Sequence, residues 1–167
     1  MAFTFSLFSG CSGQKTVPQT VDSVDLERYS GKWYDIAHLP ARFLTGCTCI
    51  TAEYSRNKDN TIKVINRCYK PEKNKYSNIT GKAFIVKNSN NTKLKVQFFW
   101  PFRGDYWIFE LGDNYKYAVV GSPSGKYLWI LSRTPSLPEN LYNELLEKIE
   151  SKGFDVEKLV RVDHENC

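Results

Sequence analysis

From Lys32 onward the chain alternates apolar and polar residues in short runs, each interrupted by a cluster of turn-forming residues. The first run, "KWYDIAHL", is followed by "TCITAEYS", which "NKDN" turns into "TIKVINRCY" as a hairpin. "ITGKAFIVK" and "KLKVQFFW" flank a second turn signal, "NSNNT". "DYWIFELG", "KYAVVGS" and "KYLWILSR" bring the predicted strands to eight, most of them joined as successive hairpins. Short alternating strands at regular spacing predict an all-β barrel or sandwich.

The period changes once. "SLPENLYNELLEKIESKG" places Leu141, Leu145 and Ile149 on one face at spacing four, so a single amphipathic helix is predicted there. Ser136 is the expected N-cap, Pro138 and acids fill the first turn, and Gly153 ends it. "FDVEKLVRV" is expected to form a last short strand. Residues 12–24 are polar with Pro and Gly and read as a tether. The chain therefore divides into a leader and tether over residues 1–24 and one folded domain over residues 25–167.

Period two assigns the faces of the strands. Leu94, Val96 and Phe98 share one face, and Lys93, Lys95 and Gln97 take the other. Ile62, Val64, Asn66 and Cys68 align together, as do Tyr127, Trp129 and Leu131. Asn66 and Glu110 are odd polar entries on otherwise apolar inward faces. A closed sheet of eight strands is just wide enough to hold one small ligand, and such polar residues would orient its head group.

A formal net charge of +5 could indicate nucleic acid or an anionic surface. The lysines, however, interleave with apolar residues along the strands, which reads as the solvated face of a sheet. No nucleic-acid partner is expected. Five cysteines are many for a reducing compartment. Cys11 stands apart, after the apolar opening "MAFTFSLFSG". "FSGC" resembles the lipobox of bacterial lipoproteins, which would make Cys11 a lipidated residue, although Phe8 departs from the usual aliphatic. The alternative is an ordinary signal peptide or a disordered tail, with a secreted or periplasmic protein. Ser12 after that Cys is compatible with release to the outer membrane. No run approaches the ~20 apolar residues of a spanning helix.

Three further stretches carry a family resemblance. "GKWYDIA", with Gly31 and Trp33, resembles the first lipocalin motif, G-x-W. "GDNYKYAVV" is similar to the second, and "LWILSRTP", with Arg133, to the third. They occur in the family's order and spacing, over residues 25–167. Within the family the chain resembles the bacterial outer-membrane lipocalins, together with apolipoprotein D and the plant temperature-induced lipocalins. The resemblance implies an eight-stranded up-and-down antiparallel β-barrel with one C-terminal α-helix packed on its outside. It also implies that Trp33 floors the closed end, that Arg133 lies across its ring, and that Gly31 permits close backbone approach there.

The same resemblance bears on the cysteines and the ligand. Parity turns Cys49 outward and Cys68 inward, so those two are not expected to bond. The match to apolipoprotein D pairs Cys49 with Cys167, which leaves Cys47 for Cys68. Tyr54, Asn66 and Trp129 match pocket positions in apolipoprotein D, while Phe98, Tyr106, Ile108 and Glu110 join the cavity set by face parity. The expected function is binding, storage or transport of a small hydrophobic ligand, a fatty acid or lysophospholipid, by a lipid-anchored protein of the outer membrane. No cofactor and no metal are expected.

Two alternatives remain. The first is a lipocalin-fold enzyme using a free Cys68 thiol, against which neither His38 nor His164 is an obvious base. The second is a module that forms homodimers, for which no surface stands out. Trp100, Pro101 and Phe102 fall in a loop at the expected open end, where they would gate entry, touch a membrane or simply pack locally.

Overall fold

Alternation leaves every strand with one apolar face, and closing the sheet on itself buries all of those faces while removing its edges. The computed structural model describes residues 17–165 and 167. Cys11, the leader and the first residues of the tether lie outside the described residues. The order is α1 (Leu26–Tyr29), β1 (Gly31–His38), β2 (Thr48–Arg56), β3 (Ile62–Lys70), β4 (Lys75–Ile85), β5 (Lys93–Gln97), β6 (Gly104–Leu111), β7 (Tyr117–Gly121), β8 (Leu128–Ser132), α2 (Glu139–Ser151) and β9 (Val160–Arg161). Strands β1 to β8 pair antiparallel with their sequence neighbours. β1 closes the barrel by pairing with both β2 (Gly31↔Tyr54 to Tyr34↔Thr51) and β8 (Tyr34↔Ser132 to His38↔Trp129). β9 joins the far half of β1, through Ala37↔Arg161 and His38↔Val160.

Several boundaries differ from the sequence expectation, each for a local reason. β4 begins at Lys75 and not at Ile79, because polar Lys75–Asn78 complete the ladder to Arg67–Lys70. β5 stops at Gln97, and Phe98 to Trp100 leave the sheet. The last strand shrinks to Val160–Arg161 because Val156–Lys158 forms a 3-10 turn. α2 is preceded by Pro138 at the N-cap position, with no side-chain cap, so Ser136 is not the cap. α1 is too short for its period to show; Asp25 caps it by accepting from the Glu27 and Arg28 amides. The end of the tether is held against the barrel. The Val21 amide donates to the Ile108 carbonyl, the Val24 amide donates to that of Asn90, and Val24 is buried.

Two apolar clusters result. The interior one gathers Trp33, Tyr54, Val64, Leu94, Ile108 and Leu131. The second takes strand residues of opposite parity, among them Ile36, Phe109, Val119 and Ile130, together with Tyr142, Leu145 and Ile149 of α2. β-Bulges in β1, β2 and β6 shift parity within those strands.

One end of the interior is filled. Trp33 is fully buried, and its indole Nε1 donates to the Tyr29 carbonyl at 2.8 Å. The Arg133 guanidinium carbon sits 3.8 Å from the Trp33 ring centroid. Its nitrogens donate to the carbonyls of Lys32, Arg28, Tyr29 and Tyr115, tying β1, α1 and the β6–β7 loop together. Gly31 has φ +96°, and a Cβ there would lie 3.4 Å from Arg133 Nη1. The floor thus depends on a residue without a side chain beside a planar cation.

Arg133→Ala should therefore lower stability by about 1–3 kcal/mol, since it removes the cation over Trp33 and leaves carbonyls to water. Arg133→Lys should recover only part of this loss, because an ammonium cannot span the same fork. Chemical denaturation checks both; an unchanged midpoint for the alanine variant would show that the floor stands without Arg133.

Candidate functional site

Above the floor the barrel is hollow. A cavity of about 900 Å³ opens at the end opposite Trp33, which is within the range of small-molecule sites. Its walls come from inward residues of β2 (Ile50, Ala52, Tyr54), β3 (Val64, Asn66, Cys68), β5 (Val96), β6 (Tyr106) and β8 (Trp129, Leu131). Phe98, just past β5, also lines it. A Cβ at Gly81 would lie 2.6 Å from Phe98 Cδ1, so the ring lies over β4 only because position 81 is glycine. Trp129 stacks on Tyr127 with ring centroids 5.9 Å apart.

Five of the seven residues singled out for the cavity line it: Tyr54, Asn66, Phe98, Tyr106 and Trp129. Ile108 does not. It is fully buried in the packed interior beneath the cavity. Glu110 is a correction: it lies outside and pairs with Lys152 at 3.0 Å. The bulge between Ile108 and Glu110 in β6 turns Phe109 and Glu110 out before Leu111 returns inward, which simple alternation does not foresee.

Three polar features sit in or under these walls. The hydroxyls of Tyr29, Tyr106 and Tyr54 form a buried chain, 2.7 Å and 2.9 Å apart in that order. Burial is the chief reason that all three phenols are held above their ordinary pKa, with Tyr54 pushed up to about 12. Asp35, buried on the inner side of β1, accepts a 2.8 Å contact from His38 Nδ1 through Oδ2. Burial raises its pKa, and the His38 hydrogen bond opposes that rise. Asp35 Oδ1 and Asn66 Oδ1 are buried at the cavity without a hydrogen-bond partner in the protein. Asp35 was missed by sequence reading, although it shares the inward parity of Trp33.

The rim is irregular chain. Phe43, Leu44 and Cys47 come from the β1–β2 loop, Phe99, Phe102 and Arg103 from the β5–β6 loop, and Lys126 and Tyr127 from the β7–β8 loop. Trp100 belongs to the same β5–β6 loop and is strongly exposed. Loops carry no period, so alternation alone could not find these residues; Trp100 and Phe102 stood out only by their place in a loop between two strands.

Two disulfides brace this half of the barrel. Cys47 is bonded to Cys68 on the cavity wall, and Cys49 to Cys167 on the outer side. The Cys49 amide donates to the Asp163 carbonyl, and His164 Nε2 lies 2.8 Å from the Asp35 carbonyl oxygen. The C-terminal segment is thereby seated between β1 and β2, where the two strands part.

Comparisons with known proteins agree with this geometry. A family model described as a lipocalin-like domain matches residues 24–164. An outer membrane lipoprotein Blc from Vibrio cholerae is 40% identical over 160 residues, covering 95% of this chain and 94% of that protein. Apolipoprotein D from Mus musculus is 32% identical over 182 aligned positions, covering 100% of this chain and 94% of its own. Among solved structures, insecticyanin from the tobacco hornworm superposes with a TM-score of 0.72 at 20% identity, covering 89% of this chain and 85% of that one, which is a likeness of fold.

The tyrosine chain predicts an alkaline signature. A phenol whose folded pKa is raised contributes stability that is full below about pH 10 and is lost as pH climbs through the folded value, near 12 for Tyr54. Each such group should remove about 1.4 kcal/mol per pH unit over that window. Tyrosinate absorbance should show at least three of the ten tyrosines un-ionised at about pH 11 while the fold persists. Tyr54→Phe should shallow the alkaline loss of stability. If all ten ionise together near the ordinary value with native circular dichroism, the buried chain is not as drawn.

Proposed function

The chain belongs to the lipocalin family, and on that premise we propose that it binds, stores or carries one small hydrophobic ligand in the open cavity. The ligand is a fatty acid or a lysophospholipid. One observation carries this reading: an apolar cavity of about 900 Å³ whose lining cations Lys70, Arg103 and Lys126 lie toward its mouth, while Arg67 of β3 is stacked on the Tyr76 ring. An acyl chain would occupy the hollow below, against Val64, Val96, Phe98, Trp129 and Leu131. An anionic head group would stay at the rim, near Lys70, Arg103 and Lys126. The reverse pose would bring a carboxylate or phosphate towards Asp35, whose carboxylate is already buried, and towards three phenols whose burial disfavours charge.

The position of α2 supports the same reading. Its buried side chains cluster with strand residues of outward parity, so we place it on the outer wall, where it leaves the mouth clear. We also propose a lipid-anchored location at the outer membrane, with Cys11 as the modified residue. The "FSGC" stretch and the name of the Vibrio cholerae relative support it. Among the described residues no helix is long and apolar enough to cross a membrane. The enzymatic alternative needs a free thiol at Cys68, and that sulfur is bonded to Cys47.

Long-chain fatty acids or lysophospholipids should give saturable quenching or a blue shift of tryptophan fluorescence. Trp129→Phe should lose much of this signal yet still bind. Affinity should weaken as the chain shortens, by up to about 0.8 kcal/mol per methylene no longer buried. Native mass spectrometry of protein purified without detergent, followed by lipid extraction, would identify what occupies the barrel. No saturable response to any long-chain lipid, or affinity indifferent to chain length, would overturn the lipid-carrier reading.

A further inference from the structure

The cations and the exposed aromatics of this protein are not spread evenly. The four loops at the mouth, residues 39–47, 71–74, 98–103 and 122–127, carry Arg42, Lys73, Arg103 and Lys126 against a single acid, Glu72, and the strand ends Lys70 and Lys75 flank one of them. The three loops at the closed end, residues 57–61, 86–92 and 112–116, carry Lys58, Lys87 and Lys116 against Asp59 and Asp113. The mouth loops therefore hold an excess of three positive charges against one at the closed end, before Lys70 and Lys75 are added. The other strand lysines lie along the sheet as the solvated-face reading expects; the polarity comes from the loops and from the strand ends Lys70 and Lys75.

The same loops present large apolar side chains to solvent. Phe43 is 60% exposed, Phe99 69%, Trp100 86% and Phe102 77%. Phe43, Phe99 and Phe102 also line the cavity entrance, so the apolar rim is continuous with the apolar interior. Aromatics at the tips of loops within a field of lysine and arginine suit one environment in particular. The rings settle at the boundary of head groups and acyl chains, and the cations stay among anionic head groups.

We infer that the mouth of the barrel docks directly on an anionic lipid bilayer, with Phe99, Trp100 and Phe102 entering the interface and Lys73 and Lys126 among the basic residues facing its head groups. Docked in this way, the cavity opens onto the acyl layer, and a single-chain lipid passes between bilayer and barrel without crossing water. The purpose of the docking rests on the lipid-carrier reading; the docking chemistry does not. Lipid attached at Cys11 is a separate contact, which the test removes.

The full chain carrying Cys11→Ser is mixed with phosphatidylcholine vesicles, with or without a minority of phosphatidylglycerol, and sedimented. Association should require phosphatidylglycerol and fall with salt, and Trp100 fluorescence should be quenched by lipids brominated near the head of the chain. Trp100→Ser with Phe102→Ser should weaken association about tenfold or more, as should Lys73→Glu with Lys126→Glu. Lys58→Glu with Lys87→Glu, which changes net charge equally at the closed end, should weaken it less than about twofold. All these side chains are exposed, so folding is retained and circular dichroism verifies it.

Equal losses from the two charge-reversal pairs, or no loss on removing the aromatics, would overturn the proposal in favour of unspecific attraction. A dimer in light scattering that Trp100→Ser dissolves, with no vesicle association, would make the mouth a contact between copies and overturn it too. Titration of soluble short-chain lysophospholipid without vesicles tests the cavity independently. Loss of that signal with vesicle association intact fails the carrier reading alone; the converse fails the docking alone.

Discussion

The contact on which the rest of the molecule depends is the stacking of Arg133 across Trp33. A closed sheet has two open ends, and a core that drains to water at both cannot hold together. Here one indole fills the bore and one guanidinium covers it, while the same guanidinium satisfies carbonyls from α1, β1 and the β6–β7 loop. The fork geometry and the ring face are used at once, which no other side chain could do. With one end sealed, stability is concentrated there and the other end is free to stay hollow.

That asymmetry runs through the whole molecule. Large side chains of Tyr29, Trp33, Leu94 and Ile108 fill the closed half, and the opposite half holds the cavity, both disulfides and the aromatic rim. The disulfides replace cohesion that packing cannot supply where the barrel is empty. Cys49–Cys167 also fixes the C-terminal segment between β1 and β2, where the two strands separate. The tyrosine chain lies at the boundary between the halves, satisfying its buried hydroxyls among themselves.

Bulges account for the places where the inner surface departs from a simple alternation. In β1 a bulge turns Ile36 and Ala37 to the outer cluster and brings His38 back to Asp35. In β6 another sends Glu110 outward to Lys152. In β2 a third accompanies Cys49, at φ +50°, as it meets the C-terminal segment. Each re-aims side chains beside the cavity, which is where barrels commonly use such insertions.

The features legible in the amino acids are those governed by short-range period. Strand identity, the inward faces of β2, β3, β5 and β8, the amphipathic helix, and five of the seven proposed cavity residues all follow from alternation or from motif likeness. The floor was legible too, because Gly31, Trp33 and Arg133 stand in recognisable motifs. The remaining features depend on contacts between distant parts of the chain. Glu110 left the cavity because an extra residue in one strand is visible only against its partner. Ile108 fell below the cavity because depth along the bore depends on the whole barrel's register. Asp35 entered the wall as a buried carboxyl group that composition would place on the surface. The basic, aromatic mouth emerged only when four loops, far apart in the chain and without any period, were brought to one end by closure of the sheet.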